Sequence, residues 1–377
     1  MKNILVYRDR LLAKSEWAFM RRQYLGFRTL APHWVGCRID PDFAGSGISA
    51  PLLLGGRGIL GPLHRALFKQ AGRVPDTDGL PALAPVVVHA QFGRGGALAL
   101  PLAKHLRIPL VVTFHGGDAF KEKHYGKALL PSIFQRRWPE LQQYASLFVC
   151  VSEGVRAKLL ERGAPPEKLE VINIGVELPD PSRVARPRTS FLFAGRFVEK
   201  KGIFVLIDAI RRFRAAGFET PFIVAGDGPL LEAARARAVD LRGVAFPGWL
   251  SPVRLREETE SARAMLVPSI VGEGGDAEGL PSVVVEAMSL ATPVVASDSC
   301  GLSDLLPGAG AGIIVLSGDA EALCNALVGL AKQPERALKM GAAAASLVQR
   351  KLSAIVQSQK LEDRLLKIAD TARPGVR

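Results

Sequence analysis

Residues 85–118, PVVVHAQFGRGGALALPLAKHLRIPLVVTFHGGD, decide the fold class. Two short runs, VVV at 86–88 and LVV at 110–112, are apolar at every position and flank a longer amphipathic segment. A strand with one face in water alternates apolar and polar residues, whereas a parallel strand covered by helices on both faces reads as a continuous apolar run. The stretch is therefore strand, helix, parallel strand, the repeating element of an α/β sheet.

The same rhythm extends outward. NILVY (3–7), LFVCVS (147–152) and LEVINIGVEL (169–178) complete a first open, doubly wound domain. Residues 177–190, ELPDPSRVARPRTS, carry three prolines and no apolar face, and read as an interdomain linker. Beyond it the alternation restarts with SFLFAGR, PFIVAGDG, GVAFPG, AMLVPS, PVVASD and GIIVL, which predicts a second domain of the same class. Residues 331–370, rich in Ala, Leu, Lys and Glu, are helical in period, and the closing TARPGVR is expected to fray. The expected organisation is a first domain over 1–180, a second over 181–352, and a helix over 353–377 that returns toward the first. Open α/β sheets bind ligands outside the carboxyl ends of their strands, so two such domains predict a cleft between facing strand ends.

Composition narrows the class further. At 377 residues and 48% apolar content the chain can bury two cores. It has no apolar run of spanning length, and its start, MKNILVYRDR, lacks a signal-peptide pattern, so a cytoplasmic protein is expected. Cys37, Cys150, Cys300 and Cys324 are scattered without metal or disulfide spacing and read as buried free thiols. The net charge of +13 is uneven: residues 1–145 hold 20 Lys/Arg against 9 Asp/Glu. That asymmetry suggests an anionic partner such as a phosphate-bearing substrate or an acidic membrane.

The chemistry concentrates in AEGLPSVVVEAM, residues 277–288. Glu278 lies in a Gly/Pro loop and Glu286 follows inside an apolar helical run. A Gly279-Leu280-Pro281 turn into a helix leaves the first backbone N–H groups open to a diphosphate or to sugar hydroxyls. Glu278 can hydrogen-bond sugar hydroxyls or offset charge at an anomeric carbon, and Glu286 can accept from a ribose diol. Favouring the helix macrodipole is the structural alternative, but it explains neither a loop Glu278 nor a Glu286 among apolar neighbours.

Glu278-Gly279-Leu280-Pro281 with Glu286-Ala287-Met288 resembles the E-x7-E motif of the family 4 retaining glycosyltransferases. GRFVEKKG (195–202) is similar to that family's basic strand-to-helix motif, and GDGPLLE, VAFPGWLS and PVVASDSCG resemble its later landmarks in the same order. HAQFG and TFHGGD resemble the branch that builds bacterial exopolysaccharides, including colanic acid. The resemblance covers residues 86–302. It implies the GT-B architecture, two Rossmann-like domains facing across a cleft, and transfer of a hexose-type sugar from a nucleoside-diphosphate sugar to a glycan or lipid-linked acceptor. It further implies that Arg196 and Lys201 bind the donor diphosphate together with Gly279, Leu280 and Pro281, that Glu286 binds the ribose, and that Glu278 and His115 are catalytic. Arg offers a planar fork and Lys a point charge, so two cations can do the work of a divalent metal, and neither metal nor cofactor is expected. In the retaining chemistry that the resemblance implies, a leaving-phosphate oxygen takes the acceptor's proton. His115 would hydrogen-bond a sugar hydroxyl; Asp118 would position the acceptor or merely cap a helix. Lys200 and Glu199 read as solvated charges.

Other features depart from the family or point elsewhere. The loop after the first strand, YRDRLLAKSE, lacks the glycines that many relatives carry, and Asp304 stands where they often have a longer acid. Asp76-Thr77-Asp78 spells a manganese motif but reads as a turn, and the glycines at 55, 56 and 58 lack a Walker lysine. Segments 57–73 and 121–144 mix basic and apolar residues in a way that suits contact with anionic lipid on the inner face of the plasma membrane. An epimerase or donor hydrolase of the same fold, or a basic lipid- or nucleic-acid-binding protein, are the competing readings. No nucleic-acid motif supports the last.

Overall fold

The computed structural model describes residues 1–11, 14–40, 51–56, 58–75, 79–121, 125, 130–180, 186–278, 280–302 and 305–372. Residues 76–78, Asp304 and the final five residues thus lie outside the described set. The chain divides into two compact units, Met1–Gly175 with Ala354–Arg377, and Val176–Ser353.

The first unit is built on seven parallel strands: β1 (Lys2–Tyr7), β3 (Leu30–Gly36), β5 (Leu52–Leu53), β6 (Val88–Gln91), β7 (Leu110–Phe114), β8 (Leu147–Cys150) and β9 (Leu169–Val171). Their order is β5-β3-β1-β6-β7-β8-β9. A separate pair, β2 (Arg10–Leu11) with β4 (Arg38–Ile39), lies just beyond. The apolar runs behave as read: every residue of β6, β7 and β8 is buried. The helix Gly93–Leu106 buries most of its length against β6 and β7. β3 and β5 escape the sequence reading. Pro32 interrupts β3, three of its residues are only half-buried, and β5 has two residues, so neither presents a continuous apolar run.

The second unit carries six parallel strands in the order β12-β11-β10-β13-β14-β15. They are β10 (Ser190–Ala194), β11 (Phe222–Ala225), β12 (Val244–Ala245), β13 (Ala262–Val267), β14 (Val294–Ser297) and β15 (Gly312–Val315), one for each predicted run. In both sheets the chain starts centrally, fills one side and then crosses to the other. The order therefore reverses between β1 and β6, and again between β10 and β13. Those switch points are where neighbouring loops splay apart and a ligand fits.

The helix Ala354–Thr371 belongs to the first unit. Its Leu361, Leu365, Ile368 and Ala369 pack with Ile4, Val6, Met20 and Leu30. The buried Glu362 carboxylate accepts from the backbone N–H groups of Arg28, Thr29 and Leu30 at 2.6–2.9 Å. The first crossing between units falls at Gly175, ahead of residue 180, because Val176 is buried in the second unit's core and donates its N–H to Leu352 O at 2.9 Å. The described part of the linker is not loose. The Arg188 guanidinium donates to Ala262 O, Leu290 O, Ala291 O and Thr292 Oγ1.

All four cysteines are buried and free. No helix among the described residues is long and apolar enough to cross a membrane. In segment 121–144, whose residues 122–124 and 126–129 lie outside the described set, the helix Ile133–Tyr144 turns Ile133, Phe134, Trp138 and Leu141 into the core, while Leu130 ahead of it is exposed. Segment 57–73 differs: beside and on the helix Gly61–Ala71, Ile59 is 99%, Leu60 60% and Leu63 55% exposed.

Candidate functional site

In the second unit the site residues gather at the switch point between β10 and β13. Gly195 and Arg196 leave the end of β10, and Gly195 N–H donates to Ala225 O at 3.1 Å. The adjoining Gly226 has φ +138°, and a Cβ there would lie 1.8 Å from Gly195 O, so only glycine lets the two loops meet. The approach leaves Arg196 exposed, its guanidinium without a hydrogen bond or ion pair to any described residue.

Residues Glu199–Lys201 form one 3-10 turn that ends at Gly202, with φ +64°. A Cβ on Gly202 would lie 1.7 Å from Pro268 O at the end of β13. This contact seats Lys201 between the strand ends, and its Cε and Cδ pass 3.5 and 3.6 Å from where a Gly195 Cβ would be. Lys201 Nζ donates to Glu278 Oε2 at 3.0 Å, both side chains being largely buried at 17% and 11% exposure. Lys200 Nζ lies 3.4 Å from Glu278 Oε1 and donates to Asp276 Oδ1 at 3.1 Å. Glu199 accepts from the Glu273 N–H at 3.1 Å. Lys200 thus departs from the expected solvated charge, whereas Glu199 is exposed as expected. Their partners lie more than seventy residues away in sequence, and together they tie the Glu278 loop to the β10 loop.

Leu280 and Pro281 are buried, and Leu280 joins the core beneath the loop. Pro281 is the N-cap of the helix Ser282–Ser289, which begins without a side-chain cap. Glu286 is the fifth residue of that helix and half-buried between Val285 and Ala287. Gly279 lies outside the described residues. The structure therefore brings Arg196, Lys201, Glu278, Leu280 and Pro281 to one edge of the sheet. Nearby, burial pushes the Cys300 thiol up to about 12, so it stays protonated.

In the first unit the switch point holds a different kind of site. His115 follows β7, and its Nε2 pairs with Gln91 Oε1 at the end of β6, 2.8 Å away. Gln91 Nε2 donates to Gln23 Oε1 at 3.0 Å and to Tyr24 Oη at 2.8 Å. Tyr24 Oη pairs with His89 Nδ1, and His89 Nε2 with Thr113 Oγ1, both at 2.7 Å. His115 Nδ1 is buried with no hydrogen-bond partner among the described residues. Burial foremost, then the Arg8 charge and then His89, pulls the His115 pKa down to about 3; burial does the same to His89. Both rings are neutral near pH 7.

Aromatic rings wall this site. Phe92 lies 4.4 Å and Phe19 5.3 Å from the His115 ring, centroid to centroid. Phe92 is held at φ +67°, a strained backbone for a bulky residue, and the Arg8 guanidinium sits 4.2 Å over its face. Arg8 is itself fixed by a two-bond pair with Glu16, at 2.7 and 3.0 Å. This Arg8–Glu16 pair joins two described residues of the loop that lacks the expected glycines.

Asp118 does not open a long helix. It is the second residue of the four-residue helix Gly117–Phe120. Its Oδ1 accepts from the N–H groups of His115 and Gly116, and its Oδ2 from that of Gly93, at 2.9–3.0 Å. Burial raises its pKa, and the three backbone donors partly oppose the shift. With both oxygens engaged, Asp118 clasps the His115 loop to the start of the helix Gly93–Leu106. Gln91, Phe92, Arg8 and Tyr24 were not singled out from sequence. The one available signal was a polar Gln91 closing an apolar strand.

Comparison with known proteins agrees with this anatomy. A family profile described as Glycosyltransferase Family 4 matches residues 55–179, and one described as Glycosyl transferases group 1 matches residues 188–333. WcaL of Salmonella typhimurium, whose name assigns it provisionally to colanic acid biosynthesis, is 29% identical over 263 residues. The match covers 66% of this chain and 61% of WcaL, so the chain spans less than two thirds of that relative. The amylovoran biosynthesis glycosyltransferase AmsK of Erwinia amylovora is 29% identical over 74% of this chain and 69% of its own length. Among solved structures, Anabaena Alr3699/HepE in complex with UDP superposes with TM-score 0.75 at 16% identity, covering 97% of this chain and all of HepE. The lipopolysaccharide outer core galactosyltransferase WaaB gives 0.69 at 17% identity, over 97% and 99%. The expected GT-B fold class holds.

Proposed function

We propose, from the premise that this chain belongs to the family 4 glycosyltransferases, that it moves a hexose from a nucleoside-diphosphate sugar onto a glycan or lipid-linked acceptor in the building of a bacterial surface polysaccharide. The observation that carries the reading is the pairing state of the second unit's cations. Arg196 is unpaired and exposed beside the Lys201 stem, and Lys201 is shared with a loop carboxylate. A diphosphate entering there would meet one free guanidinium and one ammonium already ordered. WcaL and AmsK are named for surface-polysaccharide synthesis, and HepE is solved with UDP and with UDP-glucose, which supports this donor class.

In this reading Arg196 and Lys201 stabilise the charge that grows on the leaving diphosphate, without need of a metal. Glu286 accepts from the ribose diol, and the uncapped start of the helix Ser282–Ser289 receives a phosphate or sugar oxygen. Glu278, held by two lysines, faces positive charge building at the anomeric carbon. The acceptor oxygen bonds to that carbon from the side the diphosphate leaves. The carbon–oxygen bond to phosphate breaks, and a phosphate oxygen takes the acceptor's proton, so the anomeric configuration is retained. His115 hydrogen-bonds a hydroxyl of the sugar.

The test is thermal stabilisation by UDP-glucose, UDP-galactose and GDP-mannose with EDTA present, followed by NMR of the product's anomeric proton. A ligand at 100 times its Kd stabilises by about 2.7 kcal/mol. Absence of stabilisation by every donor sinks the reading. Stabilisation that EDTA abolishes removes metal independence, and a product of inverted configuration removes retention.

A second reading concerns location. Ile59, Leu60 and Leu63 project from a basic unit into solvent, an arrangement that suits shallow insertion at the inner face of the plasma membrane. Sedimentation with phosphatidylglycerol vesicles, against phosphatidylcholine vesicles, checks it.

A further inference from the structure

We propose that Gln91 is a positioning residue. Its amide, oriented by Gln23 and Tyr24, holds His115 as the Nε2–H tautomer and so reserves Nδ1 as the acceptor for a hydroxyl of the bound sugar. This rests on the transferase reading for the identity of the ligand, but not for the tautomer.

Gln91 has two amide protons, and both Gln23 Oε1 and Tyr24 Oη lie within reach of its Nε2, at 3.0 and 2.8 Å. Its Oε1 is then turned to His115, whose Nε2–H donates to it at 2.8 Å. Tyr24, accepting from Gln91, gives its own proton to His89 Nδ1, and His89 Nε2–H gives to Thr113 Oγ1. In this direction the Gln91, His115, Tyr24 and His89 donors each meet an acceptor. Running the chain the other way would put Gln91 Nε2 against His115 Nε2 and move the ring's proton to Nδ1. That atom is buried without a partner, and a buried orphan N–H is rarer and costlier than an orphan lone pair. The hydrogen bond on one ring nitrogen fixes the state of the other.

The remaining lone pair is an acceptor of defined chemistry. Nδ1 lacks a protein donor, Phe92 and Phe19 pack on the ring, and Asp118 locks its backbone. A neutral hydroxyl donor fits it. A phosphate oxygen, which can only accept, does not. The first unit's site is thereby specific for a hydroxyl rather than for a phosphate oxygen.

The test uses the full chain with ring-15N-labelled histidine at pH 7 and long-range proton–nitrogen correlation, His115 being identified by its absence in His115→Gln. An Nε2–H tautomer is expected for His115 and for His89. Gln91→Leu should release His115 into a mixture while His89 keeps its state, and should lower kcat for sugar transfer roughly tenfold or more with little change in donor KM. Gln91→Glu, which can only accept, should keep the Nε2–H tautomer and serves if the leucine variant does not fold. UDP-glucose, UDP-galactose and GDP-mannose are then added, each beside its nucleoside diphosphate. The donor that is turned over should shift His115 Nδ1, and its diphosphate alone should not. An Nδ1–H tautomer in the free protein, or one indifferent to Gln91→Leu, overturns the inference and leaves the transferase reading standing. Turnover with Nδ1 unmoved, or an equal shift from the diphosphate alone, overturns the assignment of the acceptor. No binding and no turnover with any donor sinks the transferase reading, and the sugar half of the inference with it.

Discussion

The two units place their sites at equivalent points of equivalent sheets yet build them from opposite materials. The second unit uses formal charge: Arg196, Lys200, Lys201, Asp276 and Glu278 meet at its strand ends. The first uses a neutral, buried relay of His115, Gln91, Tyr24, His89 and Thr113. A charged lattice binds a charged group strongly and tolerates water. A neutral relay in an apolar pocket binds weakly but discriminates, because each ring nitrogen and each amide atom there is a donor or an acceptor and not both. On the proposed function, one half grips the diphosphate and the other reads the sugar.

The largest effect that separates the halves is acid. All six histidines precede residue 125, so the second unit has none. His115 and His89 fall from an ordinary value of 6.5 to about 3 on folding. Below pH 6.5 the unfolded chain binds protons that the folded one refuses, so stability declines as pH falls toward 3, by up to about 2.7 kcal/mol per pH unit for two sites. Asp118, whose pKa burial raises, takes a proton in the folded state and offsets part of the loss. Tryptophan fluorescence would resolve the units: Trp17, Trp34 and Trp138 report the first and Trp249 the second, and the first should unfold at the higher pH. Equal acid sensitivity would break the contrast.

Next in size is the charged half. Arg196→Ala or Lys201→Ala should lower kcat/KM for the turned-over donor about 10²- to 10³-fold, roughly 2.7–4 kcal/mol, with stability little changed. Steady-state kinetics against a melting curve measures both, and a loss under threefold would remove either residue from the diphosphate site. Glu362→Ala, which strips three backbone donors of their acceptor, should destabilise by about 1–3 kcal/mol and be visible as a lowered Tm of the first unit. Smallest is Ile59→Ser with Leu63→Ser. Stability should move by no more than about 0.5 kcal/mol, while sedimentation with anionic vesicles is lost if the exposed apolar face meets lipid.

The contrast also explains what the sequence could reveal. Strands of the second unit were legible one for one because each is a local apolar run, and so were β6 to β9 of the first. β3 was hidden by Pro32 and a half-exposed face. Arg196, Lys201 and His115 were singled out through the family resemblance, and Glu278 also through its place in a Gly/Pro loop ahead of a helix. Their partners were not. Gln91 meets Gln23 across 68 residues, Lys200 meets Asp276 across 76, and Glu362 meets Thr29 across 333. Spacing along a chain carries no signal for contacts made by the sheet order. Asp118 shows the limit from the other side: its type suggested a cap or an acceptor-side acid, and only the three N–H groups around it reveal a clasp.

The helix Ala354–Thr371 sets an order of events during synthesis. The apolar residues that cover Ile4, Val6 and Met20, and the carboxylate that satisfies Arg28, Thr29 and Leu30, are translated only after the whole of Val176–Ser353. A ribosome therefore releases a second unit whose residues are contiguous and able to fold at once, while the first waits with one face open. The part made first is the part finished last, and the interval between them is when the nascent chain is most exposed to chaperones and to aggregation.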